Sequence, residues 1–143
     1  MEMLTSSQIM NQERLKQRIL IVDDEKIIAD TLALILNTIG CESKAVYSGE
    51  SALEAAEQFQ PDILISDVIM AEMNGIEVAN IISEKQPNCK VILFSGQAAT
   101  ADLVAHAVSR GHAFEILAKP VHPRTLIELV RGLAAPRNAA VGQ

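Results

Sequence analysis

Five polar residues end short apolar runs of the sequence, and their side chains together fit one kind of chemistry. They are three carboxylates, one hydroxyl and one ammonium group: Asp23, Asp24, Asp67, Ser95 and Lys119. Polar side chains at the ends of buried strands are costly to bury unless they pair or bind something. Three converging carboxylates would also raise one another's pKa unless a cation neutralised them.

The residue types favour Mg²⁺-assisted phosphoryl transfer. Two or three carboxylates plus waters suit Mg²⁺, which prefers octahedral oxygen coordination and keeps a place for phosphate. Lys119 would supply a mobile positive charge for an anion, and the Ser95 hydroxyl could donate a hydrogen bond to it. Positioning and charge neutralisation do most of the catalysis in such reactions. An aspartate can itself be the nucleophile and become an acyl phosphate.

These residues depend on an alternation of strand and helix segments. Apolar runs of strand length, most of them rich in Ile and Val, occupy residues 19–22, 44–46, 63–66, 91–94 and 114–117. The central runs are typical of a parallel sheet that is buried on both faces. Between the runs, apolar residues recur at helical steps of three and four. The sequence therefore predicts an α/β fold of five strand–helix units, doubly wound, with right-handed crossovers.

Glycine, serine and proline mark the boundaries of these elements. Gly40 follows the first helix, Ser48 is a candidate N-cap for the second, Pro61 precedes the third strand and Pro87 ends the third helix. In parallel sheets of this kind, the functional crevice lies beyond the carboxyl ends of the strands. The five polar residues are therefore expected at one edge of the sheet.

Composition limits the classes of function. The chain has 143 residues, which fits one domain, and is 49% hydrophobic, which is too apolar for a disordered chain. A net charge of −6 argues against non-specific binding to nucleic acid or anionic membrane. With 3% aromatic residues, base stacking on exposed rings is not expected either.

The ends of the chain differ from its middle. Residues 1–17 are polar and predict a flexible N-terminal leader, residues 18–135 form the predicted domain, and residues 136–143 predict a disordered C-terminal tail. The start lacks the layout of a secretory signal, and no apolar run approaches the roughly 18–20 residues that cross a bilayer. We therefore expect a cytoplasmic protein.

The cysteines and histidines favour no metal site. Cys41 and Cys89 belong to no Cys-x-x-Cys or Cys/His cluster, and we interpret them as free, buried or half-buried thiols. His106, His112 and His122 share no helical face.

The strand-end motifs resemble those of the response-regulator receiver domain, a CheY-like family, in its stand-alone single-domain type. Residues 19–25 match the first strand with its acidic pair, and residues 62–70 match the third strand with its phosphoacceptor. Residues 73–75 match a Met-Asn-Gly turn, and residues 93–96 match the fourth strand with its switch hydroxyl. Residues 117–120 contain a Lys-Pro pair whose peptide bond is usually cis in the family. The resemblance implies a flavodoxin-like five-stranded parallel sheet with strand order 2-1-3-4-5.

The resemblance also implies a metal site. Asp67 would be the phosphorylated residue, and Mg²⁺ would be its cofactor. Asp24 would bind Mg²⁺ directly and Asp23 through water. The carbonyl of Ile69 would be a further ligand.

Signalling roles follow from the same resemblance. Lys119 would pair with Asp67 before phosphorylation and with the phosphoryl group afterwards. Ser95 would turn inward to the phosphoryl oxygen and shift the face made of the fourth helix, fifth strand and fifth helix. The implied partners are a sensor histidine kinase or histidine phosphotransfer protein, a downstream protein and a second copy of the chain, but no nucleic acid or membrane. Such a domain is a binding switch and not an enzyme.

The sequence departs from the family pattern at several positions. Ile116 stands where the aromatic coupled to the switch hydroxyl is usual, and the nearest aromatic is Phe114. Ala71 replaces a common proline, and residues 111–115 are one residue longer than the common form. Ile69 and Gln97 flank the approach of a hydrolytic water, and a bulky apolar Ile69 is expected to lengthen the phosphoryl lifetime.

Three other functions fit parts of the pattern. One is a receiver-like interaction module that never uses phosphate, which is favoured by Ile116 in place of the usual aromatic. A Mg²⁺-dependent phosphatase would need a second aspartate two residues after Asp67, where Ile69 stands. A flavin-binding relative would need a phosphate-cradling loop after the first strand, and the Asp23-Asp24-Glu25 acids would repel that phosphate.

Overall fold

The computed structural model describes residue 3 and residues 16–96 and 114–134. These residues contain five strands and four helices, and the first, second, third and fifth strands are each followed by a helix. The strands are β1 Arg18–Val22, β2 Glu42–Val46, β3 Ile63–Asp67, β4 Lys90–Ser95 and β5 Glu115–Ala118. The helices are α1 Lys26–Thr38, α2 Gly49–Phe59, α3 Gly75–Lys85 and α4 Pro123–Leu133.

The strands form one parallel sheet in the order β2-β1-β3-β4-β5. This confirms the predicted strand order and fold class. The register brings Ile21 beside Ile65, and Ile65 beside Ile92. The three central strands therefore end close to the same level, which places the residues that follow them at one edge.

The core has two layers, one on each face of the sheet. Side chains alternate between the faces along each strand, so Leu20 and Leu64 lie on one face and Ile21 and Ile65 on the other. Helices α2 and α3 cover the first face, whereas α1 and α4 cover the second. All five positions of β3 are buried, as expected for the central strand of a doubly wound fold.

Helix ends agree with the signals in the sequence. Gly40 has a φ of 97°, a left-handed conformation that favours glycine, just past α1. The Ser48 side chain accepts a hydrogen bond from the Ser51 N–H and caps α2. Helix α3 ends at Lys85, two residues before Pro87. The predicted strands at residues 44–46 and 114–117 are corrected to Glu42–Val46 and Glu115–Ala118.

Several predictions fall outside the described residues. They concern most of the leader, the helically spaced apolar residues between the fourth and fifth strand segments at positions 103–108, Gln97, His106, His112 and the tail at residues 136–143. Among the described helices, none is long and apolar enough to cross a membrane.

Both cysteines are free thiols, Cys41 half-buried and Cys89 buried, as predicted. Burial and the nearby Asp62 carboxylate raise the pKa of Cys89 to about 12.

Because the thiolate is the reactive form, we expect native protein at about pH 8 to be alkylated at Cys41 well before Cys89. Mass spectrometry of iodoacetamide-treated protein measures this. A Cys41→Ser variant should react only after denaturation, and rapid labelling of its native form would contradict the assignment.

Candidate functional site

Asp67 is the last residue of β3 and is nearly buried. Its Oδ2 accepts a hydrogen bond from Lys119 Nζ over 2.7 Å, which is also an ion pair. Its Oδ1 accepts from the backbone N–H of Ile69 over 3.3 Å. The predicted phosphoacceptor therefore has one carboxylate oxygen on a lysine and the other on the backbone of its own turn.

Asp23 and Asp24 follow β1, the neighbour of β3 in the sheet. Asp23 is buried, and its Oδ1 accepts from the N–H of Glu25 over 2.9 Å. Asp24 is exposed, and its Oδ2 accepts from the N–H of Ala71 over 3.3 Å. Carboxylate oxygens of Asp23, Asp24 and Asp67 lie within 4.8 Å of one another, so the three predicted carboxylates converge.

The Asp23 carboxylate lies in an electrostatically unfavourable environment. Its Oδ2 is buried and has no hydrogen-bond partner among the residues that the structure describes. Burial raises the pKa of Asp23, the Asp67 and Asp24 charges raise it further, and the Glu25 N–H and Lys119 only partly oppose this. A carboxyl group whose pKa is higher in the folded than in the unfolded state stabilises the fold at low pH. This stabilisation is lost as the pH rises through the folded-state pKa. Ionised Asp23 therefore destabilises the fold at neutral pH unless a cation neutralises it.

Lys119 reaches the site from the residue after β5. Its backbone N–H donates to the carbonyl of Ser95 over 3.1 Å, and its peptide bond to Pro120 is cis. Partial burial lowers the pKa of Lys119, but the hydrogen bond and charge of Asp67 and the charges of Asp23 and Glu25 outweigh this and raise it. The ammonium group is therefore fixed in its charged form beside Asp67.

Ser95 ends β4, next to β3, and is half-buried. Asp67 is paired in register with Phe94, and Ser95 is paired with Ala118. The structure thus brings all five predicted residues to the carboxyl ends of β1, β3, β4 and β5.

Two positions that depart from the family pattern, Ile69 and Ile116, are exposed. Ile69 is 51% exposed beside Asp67, and Ile116 is 40% exposed on the edge strand β5. Phe114 packs instead against the buried cluster on the α2–α3 face.

The turn between β3 and α3 contains contacts that the sequence patterns above did not predict. Asn74 and Glu77 form a capping box, each side chain accepting a hydrogen bond from the backbone of the other. The Asn-x-x-Glu spacing is a recognised signature that could have revealed it. The Ser66 hydroxyl donates to the carbonyl of Asp67 over 2.9 Å, and the Gly75 N–H to that of Val68 over 2.9 Å. No pattern in the sequence indicates these two bonds.

A parallel sheet of order 2-1-3-4-5, with a carboxylate cluster and a lysine at its carboxyl edge, defines a class of α/β signalling proteins. The profile of the response regulator receiver domain matches residues 19–131. The chain belongs to this family, the receiver domains of two-component response regulators.

Individual relatives agree with this assignment. The chain is 34% identical over 113 residues to chemotaxis protein CheY of Thermotoga maritima, covering 78% of this chain and 92% of that protein. It is 29% identical to the DNA-binding response regulator MtrA of Mycobacterium tuberculosis, covering 83% of this chain but 51% of MtrA. The chain thus spans about half the length of this relative.

Solved structures share the fold. A CheY-like receiver domain protein from Methanospirillum hungatei superposes with a TM-score of 0.76 at 28% identity, covering 83% of this chain and 94% of that one. The BeF₃-activated receiver domain of DrrB gives a TM-score of 0.70 at 25% identity, covering 85% and 99%.

The start of α3 requires a glycine at position 75. A Cβ there would overlap the carbonyl oxygen of Asp67 and come within 2.8 Å of Ser66 Oγ. We expect Gly75→Ala to lower the free energy of unfolding by about 1–3 kcal/mol, because the turn that carries Asp67 must move. Urea denaturation measures this.

Gly132 provides the matched control for this substitution. A Cβ at Gly132, in α4, would meet no atom of the described residues within 4 Å. Gly132→Ala should therefore leave stability unchanged or raise it by up to about 1 kcal/mol. Equal effects of the two substitutions would contradict the close contact at Gly75.

Proposed function

We propose that this receiver domain is a phosphorylation-dependent switch that accepts a phosphoryl group on Asp67 in a Mg²⁺-dependent reaction. The observation that carries the proposal is the convergence of three carboxylates within 4.8 Å, joined to Lys119 by a 2.7 Å hydrogen bond. A cluster of this charge calls for a cation, and the lysine can transfer its hydrogen bond to an incoming anion.

The residues fit Mg²⁺. Asp23 Oδ2 is a buried oxygen without a partner, and hard oxygen ligands are those that Mg²⁺ prefers. Asp24 and Asp67 would hold the ion directly, Asp23 through water, and the Ile69 carbonyl would complete the protein ligands. When bound, the ion would neutralise the carboxylates and the phosphoryl oxygens.

The transfer itself needs little more from the protein. An Asp67 carboxylate oxygen attacks the phosphorus of a phosphohistidine, a P–O bond forms and the P–N bond breaks. The electron pair of that bond stays with the nitrogen that carried the phosphoryl group. The other ring nitrogen of the phosphohistidine carries a proton, so the histidine leaves as a neutral imidazole. Lys119, fixed in its charged form, then pairs with the phosphoryl oxygens, since positioning and charge stabilisation dominate this chemistry.

The output is a change of surface rather than a catalysed reaction. Ser95 turns inward to hydrogen-bond the phosphoryl group, which shifts the face that includes β5 and α4. The partners we propose are a sensor histidine kinase or phosphotransfer protein, a downstream protein, and a second copy of the chain through the same face, all in the cytoplasm. The DNA binding in the name of MtrA belongs to a protein about twice as long.

A phosphate-independent interaction module is the second candidate. It is favoured by Ile116, a half-exposed aliphatic residue where the family uses an aromatic that turns between two positions. An isoleucine offers no such ring, so a partner could read this face without phosphorylation.

Acetyl phosphate should add one phosphoryl group to the wild-type protein, and only when Mg²⁺ is present. Asp67→Asn should abolish the adduct, because an amide is a poor nucleophile for phosphorus. Asp62→Asn, at the opposite end of β3, is the matched control and should keep it. Intact mass measures all three proteins.

The opposite result would favour the interaction module. No adduct on wild type, together with no spectral change on adding beryllofluoride, would contradict the switch. An adduct that persists in Asp67→Asn would place the phosphoryl group elsewhere.

Ile69 should lengthen the life of the phosphoryl group, because its half-exposed apolar side chain hinders the approach of water. We expect Ile69→Asn to shorten that lifetime about tenfold, a barrier change of roughly 1.4 kcal/mol, since an amide can orient a water. The decay of the adduct by intact mass measures this. Leu34→Asn, an equally polar change on exposed α1, is the control. An unchanged lifetime in Ile69→Asn would contradict the role of Ile69.

A further inference from the structure

The carbonyl of Asp67 is fixed from two sides. Ser66 is fully buried, and its hydroxyl donates to this carbonyl over 2.9 Å. The start of α3 lies against the same oxygen, since a Cβ on Gly75 would overlap it. The backbone of the phosphoacceptor is thus held between a serine hydroxyl and a glycine.

The next two residues depend on that carbonyl. The carbonyl of Val68 accepts from the Gly75 N–H over 2.9 Å, and the Ile69 N–H donates to Asp67 Oδ1 over 3.3 Å. Because a peptide group is planar, fixing the Asp67 carbonyl fixes the plane that leads into Val68. The direction of the Ile69 backbone, and of the Asp67 carboxylate that it contacts, follows from this plane.

A buried hydroxyl also needs an acceptor for purely structural reasons. The need for an acceptor does not explain why residue 66 carries a hydroxyl group. Ser66 follows Leu64 on its face of β3, beside a cluster of buried apolar side chains. An alanine would fit this position without a polar group to satisfy. The hydroxyl donates its hydrogen bond to the carbonyl of the next residue, Asp67.

We propose that Ser66 is a positioning residue for the cation and phosphoryl site. Its hydroxyl orients the Asp67–Val68 peptide so that the Asp67 carboxylate and the Ile69 carbonyl face the same ion. Ser66 itself touches neither the ion nor the phosphoryl group. This inference rests on the proposed function for its consequence, but the orientation of the peptide is a property of the metal-free protein.

The test compares Ser66→Ala, which removes the donor, with Ser66→Thr, which keeps it. In metal-free protein, the amide NMR signals of Val68, Ile69 and Gly75 should shift in Ser66→Ala. Its Mg²⁺ dissociation constant should rise about tenfold, the low end for a residue that orients a metal ligand. Ser66→Thr should stay within about twofold of wild type, since its hydroxyl can make the same bond. If Ser66→Ala fails to fold, the weaker donor of Ser66→Cys replaces it.

Ile63→Val is the matched control, because it truncates a buried side chain at the other end of the same strand. It should lower stability without changing Mg²⁺ affinity. Wild-type affinity in Ser66→Ala, an equal loss in Ser66→Thr, or the same loss in Ile63→Val would overturn the positioning role. If wild type binds no Mg²⁺ while the amides still shift in Ser66→Ala, the proposed function fails and the positioning of the peptide stands.

Discussion

Like charges held together at the carboxyl edge of a parallel sheet are the constraint on which the rest of this molecule depends. Asp23, Asp24 and Asp67 come within 4.8 Å of one another because β1 and β3 are neighbours that end at the same level. One lysine, 2.7 Å from Asp67, offsets part of this repulsion. Burial, with a smaller contribution from the Asp67 and Asp24 charges, raises the pKa of Asp23, whose buried Oδ2 has no hydrogen-bond partner among the described residues. The cation that we propose would relieve this repulsion.

The fold holds this arrangement from both faces. Helices α1 and α4 cover the sheet on one side and α2 and α3 on the other, so the central strands β1, β3 and β4 carry mostly apolar sequences. Most polar residues of these three strands lie at or near the strand ends, beside the functional residues. The turn from β3 into α3 adds backbone precision through Ser66, Gly75 and the Asn74–Glu77 capping box.

Sequence patterns predicted the doubly wound fold and the five converging residues, because both depend on features of short range. The strand order was implied by the resemblance to the receiver family. Apolar runs mark buried strands, and polar residues directly after them mark the edge. Apart from the Asn74–Glu77 capping box, whose spacing is visible in the sequence, the contacts that were not predicted depend on the three-dimensional path of a turn. In the sequence, Ser66 is only one polar position in an apolar run. The requirement for glycine at position 75 is visible only in the structure, where a Cβ would overlap the Asp67 carbonyl oxygen. The boundaries of β2 and β5 were misjudged because their exposed positions weaken the apolar signal.

The most direct test of this account is the free energy of unfolding as a function of Mg²⁺ concentration, for wild type and Asp23→Asn. Wild type should gain stability with Mg²⁺, by about 2.7 kcal/mol at a hundred times its dissociation constant. Asp23→Asn should be more stable than wild type without Mg²⁺, because it removes a buried charge, and should gain less when Mg²⁺ is added. A wild-type stability that does not change with Mg²⁺, or an Asp23→Asn variant less stable than wild type in its absence, would contradict the claim.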